Sequence, residues 1–292
     1  MSAFDIAFIG NYTKDRIFDA QGERWVDGGA FNYGANVAVR LGLKTCAVTR
    51  LCRRDAHVVR RLEELGVSVF SHFTPESTQL RLVYPSADPD ERKIYVDASA
   101  GSFQAEQVAD LDARVAVVGA SFRGEVGREI LQILNGRKID IALDVQGFVR
   151  SVQDRMLVAE SWPQRDEILS LVRFLKADIA EAELLTGTRD LHRAARMLFT
   201  AGSREIVLTH RDGVLVFDGR DYHEAGFHPA KLVGRSGRGD TCIAAYSCKR
   251  LDSQPAEATV WAAAVTSLKM ETDGPFGASV EEVEDLIERR YR

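Results

Sequence analysis

The stretch GRSGRGDTCIAAY, Gly234 to Tyr246, sets three glycines within six residues, then an aspartate, then a run that reads as helix. Glycines permit backbone angles that turn successive N–H groups toward one point, and the helix that follows adds its unpaired amides and the positive end of its dipole. Such a loop attracts an anion, and phosphate is its natural guest. An aspartate there is expected to be held ionised by those donors and to take a proton from a hydroxyl presented beside a bound phosphate. Phosphoryl transfer to an alcohol needs that arrangement. On local grounds alone a plainer reading stays open, in which Asp240 caps the helix and the glycines make a tight turn.

The rest of the chain supplies the frame. FDIAFIG (Phe4 to Gly10) is an apolar run closed by glycine, as a buried parallel strand is. Gly28 and Gly29 introduce AFNYGANVAVRLG, a helix ending at Gly42, and KTCAVTR follows as a strand. DAHVVRRLEELG, with Asp55 as N-cap, is an amphipathic helix. Between Val67 and Tyr95 the short alternating runs VSVFSHF, TQLRLVY and RKIYV, split by PSADPDE, read as antiparallel sheet. Beyond Ala113 the alternation returns: strands RVAVVGA, DIALDV, EIVLTH and VLVFDG are separated by helical stretches at Gly124–Asn135, Arg165–Leu175 and Leu191–Ala201. The expected fold is α/β, a mostly parallel central sheet with helices on both faces plus a small antiparallel β lid. No repeat or low-complexity linker divides residues 1–292, so the chain reads as one domain, its lid built from about 11–27 and 67–100.

Composition narrows the partners. Net charge is −5, with acidic and basic residues mixed along the length, so no patch recommends nucleic acid or an anionic membrane. No run reaches the roughly 18 apolar residues of a membrane span, and the N-terminus carries no cleavage pattern, so a cytoplasmic protein is expected. The four cysteines match no usual zinc spacing and read as inert thiols. A Walker loop, HExxH and GxSxG are all missing, and a GxGxxG straight after the first strand, as a nucleotide-dependent oxidoreductase would have, is replaced by GNYTKD.

GRSGRGD resembles the DTxGAGD signature of the ribokinase-like (PfkB) family of carbohydrate and nucleoside kinases. Other pieces come in the family's order: FIGNYTKD with Asp15, GGAFNYGANVAVRLG, LDVQGFVR, KADIAEAELLTG in place of the NxxE stretch, and VLTHRDGVLVF. The loop wording is nearer to the inositol-kinase-like members. The resemblance implies transfer of the γ-phosphoryl group of ATP, with Mg2+, to a hydroxyl of a small carbohydrate or cyclitol. A nucleoside kinase, or a noncatalytic sugar-binding sensor, is the alternative on the same scaffold.

The resemblance makes Asp240 the base and Gly237, Arg238 and Gly239 the anion loop around the transferring group. Asp15, Gly28, Gly29 and Asn32 would hold the acceptor. Thr209, Glu181 and Gly277 would serve the nucleotide, with Val265 to Gly277 along the adenine, and Asp178 and Glu181 would organise Mg2+ through water. Three departures stand out: Gly234-Arg235 replaces the leading Asp-Thr, Arg238 the alanine, and Asp178 the asparagine of NxxE. Arg238 either contacts phosphate or points to solvent, and Arg150 is either a surface charge or a phosphate contact. Trp25, Phe31 and Tyr33 are pocket aromatics or core, and His210 is the histidine nearest the nucleotide. An exposed lid edge would allow a homodimer.

Overall fold

The computed structural model describes residues 2–20, 22–85, 92–234 and 236–291. Most of the expected PSADPDE turn, and Arg235, lie outside them. The chain begins β1 (Phe4–Ile9), β2 (Thr13–Asp19), β3 (Gly22–Gly28), α1 (Ala30–Arg40), β4 (Thr45–Cys52), α2 (His57–Glu64), β5 (Ser68–Thr74), β6 (Thr78–Val83) and β7 (Lys93–Ala98). It continues through β8 (Ala113–Val118), α3 (Arg128–Gly136), β9 (Asp140–Asp144), α4 (Gln146–Val149), β10 (Arg150–Gln153), β11 (Met156–Ala159), α5 (Arg165–Leu169), β12 (Phe174–Asp178) and α6 (Ile179–Thr186). The last part holds α7 (Leu191–Thr200), β13 (Glu205–Thr209), β14 (Gly213–Phe217), β15 (Tyr222–Gly226), α8 (Arg238–Lys249), α9 (Pro255–Met270) and α10 (Val280–Arg290).

Nine strands form the large sheet in the order β15-β14-β13-β12-β9-β8-β1-β4-β5, parallel from β13 to β5 and antiparallel at the β14–β15 end. Its central strands are nearly continuous apolar runs, as strands covered on both faces must be. On one face they pack against α1, α2, α8, α9 and α10, and on the other against α3, α5, α6 and α7. Helices therefore lie on both faces, and the sites where ligands meet such sheets are the C-terminal ends of the parallel strands.

A second sheet, in the order β10-β11-β7-β6-β2-β3, forms the lid. Its pairings are antiparallel except β2 with β6, which run parallel. The apolar side chains Ile17, Leu80, Leu82 and Phe122 make a small core beneath it.

Four expectations need correction. VSVFSHF belongs to the large sheet: it is β5, the parallel edge strand beside β4, so the lid does not include it. The helix foreseen over Arg165–Leu175 stops at Leu169, and the chain turns into β12, whose interior Lys176 had disguised a buried strand. The lid also takes in the β10–β11 hairpin. Its turn is made by Asp154 and Arg155, both at positive φ (47° and 67°), so it lacks the glycine that marks such turns in a sequence. Asp55, expected as the cap of α2, is instead buried and bonded to Lys14 Nζ (2.9 Å) and Ser77 Oγ (2.6 Å), tying β2 to the large sheet.

Candidate active site

The loop before α8 and the ends of β8, β9, β12 and β13 converge on two adjoining cavities. One, of about 330 Å³, is lined by Asp144, Gln146, Lys176, Asp178, Thr209, His210, Arg211 and Gly237 to Asp240, with Arg92 and Arg150. The other, of about 90 Å³, has a polar floor that includes Thr13, Asp15, Tyr33 and Ser121, and an apolar roof of Leu80, Leu82, Ile94 and Leu157 from the lid. Arg92, Gln146, Arg150, Gly237 and Asp240 line both cavities. A larger cavity of about 680 Å³ beside β5 is lined by Phe4, Val48, Phe70 and Leu111, and none of the candidate residues reaches it.

Gly237 is the N-cap of α8, at φ 74°, and its missing side chain is replaced by the Tyr33 ring, into which a Cβ would run. No side chain caps this helix, so Asp240, three residues in, is not the cap. Asp240 as a residue is only half-buried, yet its Oδ1 is sealed from solvent and has no hydrogen-bond partner among the described residues. The amides of its own loop were expected to hold it ionised, but the carboxyl is pushed up. Burial is the main cause, opposed by Lys176 and Arg150.

Beneath the loop lies a buried cluster of charge. Lys176 and Asp144 are register partners on β12 and β9, and the Lys176 ammonium is 2.9 Å from Asp144 and 3.6 Å from Glu181. A Cβ on Gly239 would lie 2.8 Å from that ammonium, so the loop backbone rests on it. Burial works against the charge of Lys176, but Asp144 and Glu181 outweigh it and hold the amine protonated. Asp144 is pushed up to about 6 by burial, against the pull of Lys176. Glu181, although buried, is held below its ordinary value by Lys176 and Arg150, the latter at 2.9 Å.

Asp178 and Glu181 form a reciprocal cap at the start of α6. Asp178 Oδ1 accepts from the Glu181 amide at 2.8 Å, and Glu181 Oε2 from the Asp178 amide at 2.9 Å. The other oxygen of Glu181 accepts from Arg150, so both of its carboxylate oxygens are already engaged within the protein. Among the described residues no group of three His, Cys, Asp or Glu side chains is disposed to hold a metal. Outer-sphere contact through water is the role that this donor set fits.

Of the other expected residues, Asp15 and Gly29 line the smaller cavity and Thr209 the larger. Gly28 packs against Asp15, where a Cβ would stand 2.8 Å from its Oδ2. Asp15 is buried with Oδ1 unpaired, and its carboxyl is pushed up to about 7 by burial first and then, among charges, by Asp240, against a hydrogen bond from Thr13. Asn32 lines neither cavity. It donates to the Asp27 carbonyl at 3.1 Å and accepts from Asn36 at 3.2 Å, which makes it part of α1. Gly277 is exposed, outside the lining of either cavity.

Arg150 and Arg238, each left with two readings, both line the cavity of about 330 Å³, and so does His210. Lys176, Arg92, Arg211 and Gln146 had no role assigned beforehand, and Tyr33, read as a pocket aromatic or core residue, lines the smaller cavity. Lys176 did leave a signal, a charge inside an apolar strand run, because a buried lysine must find partners.

A parallel sheet whose strand ends meet a glycine loop, a carboxylate and a nest of cations defines a phosphotransferase of the small-molecule kinase class. Residues 26–277 match the family described as pfkB family carbohydrate kinase, and the chain belongs to it. It is a kinase of ribokinase-like fold.

Among solved structures, a pyrophosphate-dependent kinase in the ribokinase family, complexed with sulfate, is 33% identical with a TM-score of 0.89, covering 96% of this chain and 99% of its own. A structure of such a kinase with a pyrophosphate analog and myo-inositol is 32% identical, TM-score 0.88, with 96% and 99% covered. A cytidine kinase of Thermococcus kodakarensis is 32% identical over 97 residues, which span 32% of this chain and 35% of that protein. No helix among the described residues is long and apolar enough to cross a membrane.

Proposed function

We propose that this kinase transfers a phosphoryl group from inorganic pyrophosphate to a hydroxyl of a cyclitol of the myo-inositol kind, with Asp240 as the base. The observation that carries the reading is that Asp240 lies on the wall shared by the two cavities, with its Oδ1 unpaired. One cavity then receives the donor and the other the acceptor.

The donor follows from the lining of the larger cavity. Among the described residues it is rich in cations, Arg92, Arg150, Lys176, Arg211 and Arg238, and has no phenylalanine, tyrosine or tryptophan and only two apolar side chains, Ile179 and Ala180. Such a lining suits a compact polyanion, whereas an adenine ring asks for apolar or aromatic walls. The likeness to pyrophosphate-dependent kinases over nearly the whole chain supports the same choice. ATP, the donor the family implies, is the rival. The acceptor follows from size and lining: about 90 Å³ under an apolar roof favours one ring over a base joined to a ribose, so a nucleoside is the weaker choice.

In the reaction, Asp240 takes the proton of the acceptor hydroxyl as that oxygen bonds to phosphorus. The bond from that phosphorus to the bridging oxygen breaks, and orthophosphate leaves with the electron pair. General-base catalysis of this kind contributes on the order of 10² to 10⁴ in rate. The amides of Gly237 to Asp240 face the transferring group, where one well-aimed donor is worth roughly 10² to 10³. Lys176, fixed by Asp144, backs the loop with a preorganised positive charge. Mg2+, held through water by Asp178 and Glu181, would neutralise donor oxygens when bound. Asp15 accepts from the acceptor's other hydroxyls.

Phosphorylation of myo-inositol, ribose and cytidine, each with pyrophosphate and with ATP, tests the reading by phosphorus NMR. Turnover of myo-inositol with pyrophosphate is expected. Turnover with ATP alone overturns the donor, and turnover of cytidine or ribose without the cyclitol overturns the acceptor.

A further inference from the structure

Lys269 has no part in the reaction so far. It sits in the last turn of α9, 1% exposed, and its ammonium donates to the Gly234 carbonyl at 3.4 Å. Among the described residues no carboxylate comes within ion-pair distance of it, and Asp273 and Asp240 act on it from further away. An ammonium has three donors and a full charge to satisfy. Buried with one long hydrogen bond, it costs the fold stability.

Its surroundings explain why the chain carries that cost. The anion loop starts from the end of α9, since the amides of Val233 and Gly234 both donate to the Met270 carbonyl, at 2.9 and 3.2 Å. The ammonium stands 5.6 Å from the centroid of the Tyr33 ring, a cation–π distance. That same ring fills the space of the absent Gly237 side chain. Lys269 therefore touches the loop at both ends: at Gly234 directly, and at Gly237 through Tyr33.

We propose that Lys269 is a positioning residue of the anion loop. Its ammonium draws back the Gly234 carbonyl and the Tyr33 face, so that the amides of Gly237 to Gly239 stay aimed at the donor, and it sets a fixed positive charge behind Asp240. The inference rests on the kinase reading above but not on the choice of donor. Burial lowers the Lys269 ammonium to about 8, with Asp273 and Asp240 pulling it back up. The titratable groups that face it are Asp240 on α8, Asp273 beyond α9 and Tyr33 on α1, and burial holds the Tyr33 phenol well above its ordinary value. The loop support accordingly weakens as pH rises through about 8.

The test uses the full chain and whichever donor the wild type turns over, so a failed donor reading is seen first and separately. Lys269→Met is expected to unfold at the same temperature as wild type or higher, because it removes an unpaired buried charge. Its kcat should fall about 10²-fold, the value of one misaimed donor, with acceptor KM little changed. Lys269→Ala should regain rate when ammonium or methylammonium is added and not with tetramethylammonium, which is too large for the space. Lys269→Arg should move the alkaline fall in kcat to higher pH. Full activity in Lys269→Met overturns the proposal. So does a drop in Lys269→Ala that small amines leave untouched while the melting temperature falls, since that marks a purely structural lysine.

Discussion

The two cavities share a wall and differ in almost everything else. The proposed donor side is built from the ends of β9, β12 and β13 and the start of α8, and beneath it Lys176, Asp144 and Glu181 are buried and paired with one another and with Arg150. On the acceptor side the contributors are α1 and the lid, β2 among its strands, and among the described residues Asp15 is the one carboxylate besides Asp240 under a roof of leucine and isoleucine. A polyanion is recognised by several cations, and the two drawn furthest from solvent, Lys176 and Arg150, are held by carboxylates that offset the cost of their burial. A polyol needs few polar contacts and an apolar surface for its C–H face. The difference assigns charge neutralisation to the sheet and shape selection to the lid.

Asp240→Asn strikes the wall common to both sides, so it carries the largest expected effect: kcat falls by roughly 10² to 10⁴ while both KM values stay near wild type. Steady-state rates with each substrate varied in turn check this, and a variant that keeps most of its rate would remove the base from the shared wall. The next effect is confined to one side. Asp15→Asn should raise acceptor KM by roughly 10- to 10²-fold, the worth of a hydrogen bond to a charged group, and leave donor KM alone. Loss of affinity for both substrates would erase the division.

Asp15 also carries a pH signature. Its folded pKa, about 7, lies above the ordinary 3.8, so the stability it contributes is fully present below about pH 4 and is lost as pH rises through 7. Urea unfolding of wild type and Asp15→Asn at pH 4 and pH 8 should therefore show the variant gaining on the wild type at the higher pH. Acceptor KM in the wild type should fall over the same interval, as the carboxyl ionises.

The donor side was the more legible in sequence, because its parts are local. A glycine loop ahead of a helix stands out within six residues, and Gly237, Gly239 and Asp240, which line the proposed donor cavity, are singled out that way. The large sheet was legible for the same reason, since buried parallel strands announce themselves as apolar runs between helices. What stayed hidden depends on contacts across the chain. Asp144 and Lys176 are ordinary charges until β9 and β12 lie in register. Lys269 is an ordinary helical lysine until α9 packs beside the loop. Asn32 misled in the other direction: an asparagine near a helix start suits a ligand contact as well as it suits the Asp27 and Asn36 bonds it makes. The lid was half-read, because β5 alternates like a lid strand yet pairs with β4, and the β10–β11 turn carries no glycine.

Arg238 gives the smallest effect, and the one that tests how far the donor side extends. It occupies the first turn of α8, where the resembling signature has alanine, and it lines the donor cavity with its guanidinium 6.0 Å from the centroid of the Phe227 ring. Half-buried at the cavity mouth, it works in a screened setting, so a contact with donor oxygens is worth on the order of 1 kcal/mol rather than the several of a sealed pair. Arg238→Ala should accordingly raise donor KM by about five- to tenfold with acceptor KM unchanged, and the gap from wild type should narrow as salt is added. Arg238→Lys keeps the charge but not the planar fork, and should fall between the two. If donor KM is the same in all three proteins at low salt, the cationic donor side ends at Lys176 and Arg150, and the role of Arg238 is its packing on Phe227.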